Sequence, residues 1–108
     1  MRYFRASSGR EPFWEWLDAF KDQNTRARIL ARLDRLEEGN FGICRRLERG
    51  LVELKLDFGP GHRIYIGEDG ARIVILLTGG GKKNQQRDIR TATEYWIAYL
   101  TGRTKHEK

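Results

Sequence analysis

The chain has 108 residues, 39% of them hydrophobic and 11% aromatic, which fits one small globular domain with a modest core. Its 21 Lys and Arg against 15 Asp and Glu give a net charge of +6 and a pI near 9.8, so a nucleic acid or an acidic protein is a candidate partner. Cys44 is the only cysteine and His62 and His106 the only histidines, which excludes an internal disulfide and a Cys-rich zinc site. No apolar stretch approaches a membrane span and "MRYFRASSGR" has no signal-peptide core, so a reducing cytoplasm is the expected setting.

In chain order, "RYFRA" (Arg2–Ala6) reads as a short strand, and "SSGREP" breaks it. Pro12 suits the first turn of a helix in which Phe13, Trp16, Leu17 and Phe20 share one face; Trp14 lies off that stripe, under a neighbouring loop. "DQNTR" turns the chain, with Asn24 or Thr25 as the cap of a second helix. Ile29, Leu33 and Leu36 form its apolar stripe, and Gly39-Asn40 ends it, so the two helices read as a hairpin. Arg28, Arg32 and Arg35 share another face. That face is either solvated and partly balanced by Asp34 and Glu38, or a contact for RNA phosphates or an acidic partner.

"FGICRRLERG", carrying Arg45 and Arg46, reads as a basic loop. The period then changes to two. Val52, Leu54 and Leu56 point one way, and Glu53, Lys55 and Asp57 the other. After the Gly59–Gly61 turn, Ile64 and Ile66 face the core with Arg63 and Tyr65 opposite. "EDG" marks a hairpin, and "RIVILLT" (Arg72–Thr78), apolar on both faces, is a central strand. Asn84 caps a last helix in which Ile89, Ala92, Trp96 and Leu100 recur at helical spacing, with a frayed polar tail from about residue 101. The expected fold is a single α+β domain over residues 1–108, β-α-α-β-β-β-α. A helical hairpin packs on one face of a mainly antiparallel four-stranded sheet, and the opposite face, with Glu53, Lys55, Arg63 and Tyr65, is open to water.

"GGGKKNQQRD" (Gly79–Asp88) resembles a phosphate-binding loop, but a free-nucleotide site does not fit it. The P-loop spacing would need glycine where Leu76 stands, and Ser or Thr where Lys83 stands. A dinucleotide motif should follow the first strand, whereas this stretch comes late. Its glycines and the amides before a helix still suit an anion, and its lysines share a rim with Lys55 and Arg63 on adjacent strands. This set suits metal-free RNA cleavage. A base takes the 2′-hydroxyl proton, cations stabilise the phosphorane, and the leaving 5′-oxygen takes a proton. The plain alternative is a solvated sheet face. No cofactor and no metal-ligand spacing is read from the sequence.

"FWEWLDAFKD", "RARILARLDRLEEGNFG", "VELKLDFGPGHRIYI" and "IVILLTGGGKKNQQRDI" together resemble the RelE/ParE superfamily of type II toxin–antitoxin toxins, in its HigB-like addiction-module killer branch. The resemblance runs from about Phe13 to Trp96. It implies a compact α/β fold and ribosome-dependent mRNA cleavage, with Lys55, Arg63 and Lys82 or Lys83 as the catalytic cations. Arg45, Arg46, His62, Tyr65, Gln86 and Arg87 would contact RNA. The implied partners are a cognate antitoxin of helix-turn-helix type, the ribosome and mRNA, with operator DNA reached only through the antitoxin. His62 stands where this branch usually has tyrosine, and no tyrosine opens the last helix, where Ile89 lies nearby. The assignment of base and acid therefore stays open. ParE-like relatives, which poison DNA gyrase without cutting RNA, and a plain basic adaptor are the alternative readings.

Overall fold

A computed structural model describes residues 1–70 and 73–106. The strand β1 (Arg2–Tyr3) is followed by α1 (Pro12–Asp18) and α2 (Gln23–Glu37). Pro12 occupies the first turn of α1, where its missing N–H leaves no helical bond unmade. The cap of α2 is Asp22 rather than Asn24 or Thr25. Its carboxylate accepts from the Asn24 N–H at 3.0 Å and the Thr25 hydroxyl at 2.8 Å, so the helix starts earlier than expected. After the C-cap Glu38 of α2 comes Gly39, whose φ of +90° turns the Gly39 and Asn40 N–H groups back to the Leu36 and Arg35 carbonyls, both at 2.9 Å.

Among the described residues the sheet has five strands in the order β1-β5-β4-β3-β2. The basic loop contains the additional strand, β2 (Cys44–Arg46), which pairs antiparallel with β3 (Leu51–Lys55) through Cys44 and Leu54. A single 3₁₀ turn, Glu48–Gly50, links them. β3 pairs with β4 (Arg63–Asp69), and β4 with β5 (Ile73–Gly80), both antiparallel, while β1 lies parallel to β5. Arg72, read as the start of the central strand, lies outside the described residues. The last helix, α3 (Gln85–His106), starts directly after Asn84. The segment expected to fray from about residue 101 is helical as far as His106, and residues 107 and 108 lie outside the described residues. No described helix is long and apolar enough to cross a membrane.

Both sheet faces are covered. On one side, Phe13, Leu17, Ile29, Leu33 and Leu36 of the helical hairpin pack on Val52, Leu54, Ile64 and Ile66. On the other, α3 lays Ala92 and Trp96 against Leu51, Tyr65, Ile75 and Leu77. The face expected to be open to water is therefore largely closed. The apolar stripe of α3 has to be buried, and β5, apolar on both faces, supplies the surface that receives it.

The covering side chains touch the sheet backbone at two glycines. A Cβ at Gly79 would fall 2.1 Å from the Trp16 indole, and one at Gly67 2.3 Å from the Trp96 indole. Gly67→Ala is therefore expected to cost about 1–3 kcal/mol by overpacking. Leu33, buried between α2 and the sheet, is expected to lose about 2–5 kcal/mol on truncation to alanine. Denaturant midpoints check both, and a Leu33→Ala shift well under about 1 kcal/mol would show that another face of α2 is buried.

Candidate nucleic-acid interface

The sheet register builds the site. Lys55 on β3 stands opposite Arg63 on β4, and Arg63 opposite Gly80 on β5. One row inward, Arg45 faces Glu53, and Glu53 faces Tyr65. Burial divides these residues sharply. Lys55 is exposed, whereas Glu53 and Arg63 retain only 5% and 7% of their exposure and Tyr65 retains none. Arg63 is thus no surface salt-bridge residue, as an open sheet face would have made it.

Arg63 Nη1 donates to the Gly61 carbonyl at 2.9 Å. Its Nε lies 3.6 Å from Glu53 Oε2, an ion pair without a hydrogen bond, and is buried with no hydrogen-bond partner. Glu53 Oε2 accepts from the Tyr65 hydroxyl and from Gln85 Nε2, each at 2.9 Å, and Oε1 lies 3.3 Å from Arg45 Nε. Burial, followed by the hydrogen bond to Glu53, pushes the Tyr65 phenol far above its ordinary value. Tyr65 therefore stays protonated and acts as a donor within the protein.

The glycine turn brings the lysine rim to this pair. A Cβ at Gly61, whose φ is +103°, would sit 3.3 Å from Lys82 Cβ and 3.7 Å from Arg63 Nη1. A Cβ at Gly80 would sit 2.2 Å from Asp88 Oδ2, so the first turn of α3 rests directly on the end of β5. Lys82, Lys83, Gln86 and Arg87 are exposed there and, with Arg90, line a shallow depression of about 360 Å³. Lysines beside the amides of a helix start attract a phosphate group, and a neighbouring guanidinium offers it directed N–H donors.

Other expected contacts are placed elsewhere. Tyr65 is too buried to meet RNA. His62 points to the opposite face, where its ring stands edge-on to Phe20 at 4.9 Å and near Trp16 and Phe58 at 6.4 and 6.5 Å. Arg46 pairs with Glu68 and lies 5.3 Å over the Phe41 ring, also away from Arg63. On α2, Arg32 is buried and donates to the Asn40 and Phe41 carbonyls, so it ties down a loop, while Arg28 stacks over Phe58 at 4.3 Å. The residues that the sequence reading left outside the site are Glu53, Gln85 and Asp88. The signal for Glu53 was its alternation onto the face of Lys55. Gln85 and Asp88 stand three apart, a spacing that puts both on one side of a helix start.

Desolvation in the aromatic cluster lowers the His62 pKa from 6.5. The folded protein therefore holds fewer protons at this ring than the unfolded chain. The stability it contributes is complete above pH 6.5 and declines as pH falls from there through the lower folded value. His62→Phe is expected to flatten this part of the stability–pH curve, measured by urea unfolding between about pH 5 and 8. An unchanged slope would assign the acid sensitivity to other groups.

Residues 15–96 match the family described as "Phage derived protein Gp49-like (DUF891)". An uncharacterized protein of Haemophilus influenzae (strain Rd) is 41% identical over 80 residues, covering 74% of this chain and 81% of that protein. No solved structure matches the chain. The family match runs from α1 through the buried Trp96 of α3 and contains the whole Glu53, Lys55, Arg63 and Lys82 arrangement, and the chain belongs to the phage-derived Gp49-like family.

Proposed function

We propose that this chain is the toxin of a type II toxin–antitoxin system, of the HigB-like branch of the RelE/ParE superfamily. On this reading it is a metal-independent endoribonuclease that cuts mRNA on the ribosome. The observation that carries the reading is the pairing of a buried, oriented Arg63 with exposed Lys55 across the strands and Lys82 across the Gly61 turn. A general basic adaptor needs exposed cations but gives no account of a buried arginine beside them whose Nε, unlike the satisfied Arg32, has no hydrogen-bond partner.

The chemistry follows from these groups. A base removes the 2′-hydroxyl proton, and the 2′-oxygen attacks the neighbouring phosphorus. The bond from phosphorus to the 5′-oxygen breaks, and that oxygen takes a proton. The products are a 2′,3′-cyclic phosphate and a 5′-hydroxyl. Arg63 stabilises the charge that builds on the phosphorane oxygens, and its fixed orientation means little reorganisation is needed at the moment of reaction. The exposed amines of Lys55 and Lys82 hold the phosphate and carry the proton traffic. Lys83, Gln86 and Arg87 on the rim extend the contact along the strand. In the cytoplasm the net charge of +6 suits masking by a cognate antitoxin with an acidic contact segment, through which alone operator DNA is reached.

Mapping mRNA ends on translating ribosomes tests the reading. The wild-type chain is expected to produce discrete new ends. Arg63→Ala is expected to slow cleavage by about 10²–10³, the scale for losing one oriented donor. Arg63→Lys, which keeps the charge, serves as the folded control if the alanine variant melts. Intact mRNA together with stalled gyrase would replace the nuclease reading with a gyrase-directed one. Cleavage at the wild-type rate by folded Arg63 variants would remove this face from the chemistry.

A further inference from the structure

We infer that Glu53 is the positioning residue of this site, a buried carboxylate that holds Arg63 and the first turn of α3 in one arrangement. The geometry concentrates on this one group. Its neighbours come from β2 (Arg45, 3.3 Å), β4 (Tyr65, 2.9 Å, and Arg63, 3.6 Å) and α3 (Gln85, 2.9 Å). Gln85 is 32 residues away in sequence and opens the helix that carries the lysine rim on its N-terminal side. Through this bond the carboxylate ties the rim to the strand pair that bears Arg63 and Lys55.

The charge of Glu53 matters as much as its shape. Both hydrogen bonds fall on Oε2, from neutral donors, whereas Arg63 Nε reaches that oxygen only by Coulomb attraction. Gln at this position would keep one acceptor oxygen. It would lose the attraction on Arg63 and turn an amide N–H₂ toward a set of donors. The Glu53 carboxylate repels a phosphate, and its Oε2 is already occupied by Tyr65 and Gln85, so its effect on RNA cleavage passes through Arg63. A carboxylate that served only to fill the fold would not need to lie between two arginines at the edge of a lysine rim.

The kinetic part of this inference rests on the endoribonuclease reading, and the spectroscopic part does not. The test uses full-length Glu53→Gln, alone and combined with Arg63→Ala. Three measurements are made: thermal unfolding, the Arg63 Nε–H resonance in ¹⁵N-labelled protein, and single-turnover mRNA cleavage on programmed ribosomes. In the single variant the resonance is expected to shift and its proton to exchange faster, and cleavage is expected to fall about tenfold or more. In the Arg63→Ala background Glu53→Gln is expected to add little, because the group it acts through is gone. An unchanged Arg63 resonance overturns the inference, and so does a full further loss in the double variant. Gln85→Met, which removes one donor to Oε2, gives the same spectroscopic reading if Glu53→Gln does not fold, and an unchanged resonance there is equally fatal. If wild-type protein cuts no mRNA, the nuclease reading fails and the resonance still decides the role of Glu53.

Discussion

Two indole rings pressed against bare backbone set the architecture. Trp16 lies on Gly79 from the side of the helical hairpin, and Trp96 lies on Gly67 from the side of α3. A side chain larger than hydrogen at either glycine would hold its helix away from the sheet. With both glycines in place the helices seat closely, and both sheet faces become interior. Trp96 is also tied by its ring N–H to the Arg49 carbonyl at 2.8 Å, so the 3₁₀ turn between β2 and β3 is fixed by the same contact. The partly exposed rim by the Gly59–Gly61 turn lies where this cover ends.

Closing both faces forces charged groups inside, and each is accommodated differently. Arg32 gives its guanidinium to two loop carbonyls, which fixes the entry to β2. Glu53 receives two neutral hydrogen bonds and two arginines. Arg63 is the least satisfied, with one bond to Gly61 and a buried Nε that has no hydrogen-bond partner. A buried polar group without a partner is costly and is therefore rare in native proteins. Here the cost falls on a residue whose Nη1 lies beside the Gly61 turn that Lys82 also borders, so a local deficit of stability coincides with the candidate site.

On the proposed reading, the two kinds of cation divide the work. Exposed Lys82 and Lys83, with Arg87 and Arg90, act at a distance and are screened by salt, so they govern encounter with a polyanion. Arg63 has lost most of its water before the ligand comes, so its field is less screened and more directional. Contacts to phosphate position a strand without reading its bases. A site built this way would take its register from whatever else holds the mRNA.

The sequence by itself determined the elements whose side chains follow a fixed period. The stripe of Ile29, Leu33 and Leu36 and the alternation of Val52, Leu54 and Leu56 are legible because helices and strands repeat every 3.6 and 2 residues, and the glycine-lysine rim is legible from residue type alone. β2 was not legible, since its three residues are too few to show alternation and become a strand only by pairing with β3. The tertiary structure decided which face α3 covers, because an amphipathic helix specifies that it must be buried and not where. That choice turned Arg63, Tyr65 and Glu53 from surface residues into interior ones. It also brought Gln85 to Glu53, a meeting that no spacing rule along the chain foretells, because hydrogen bonds and ion pairs depend on distance in space.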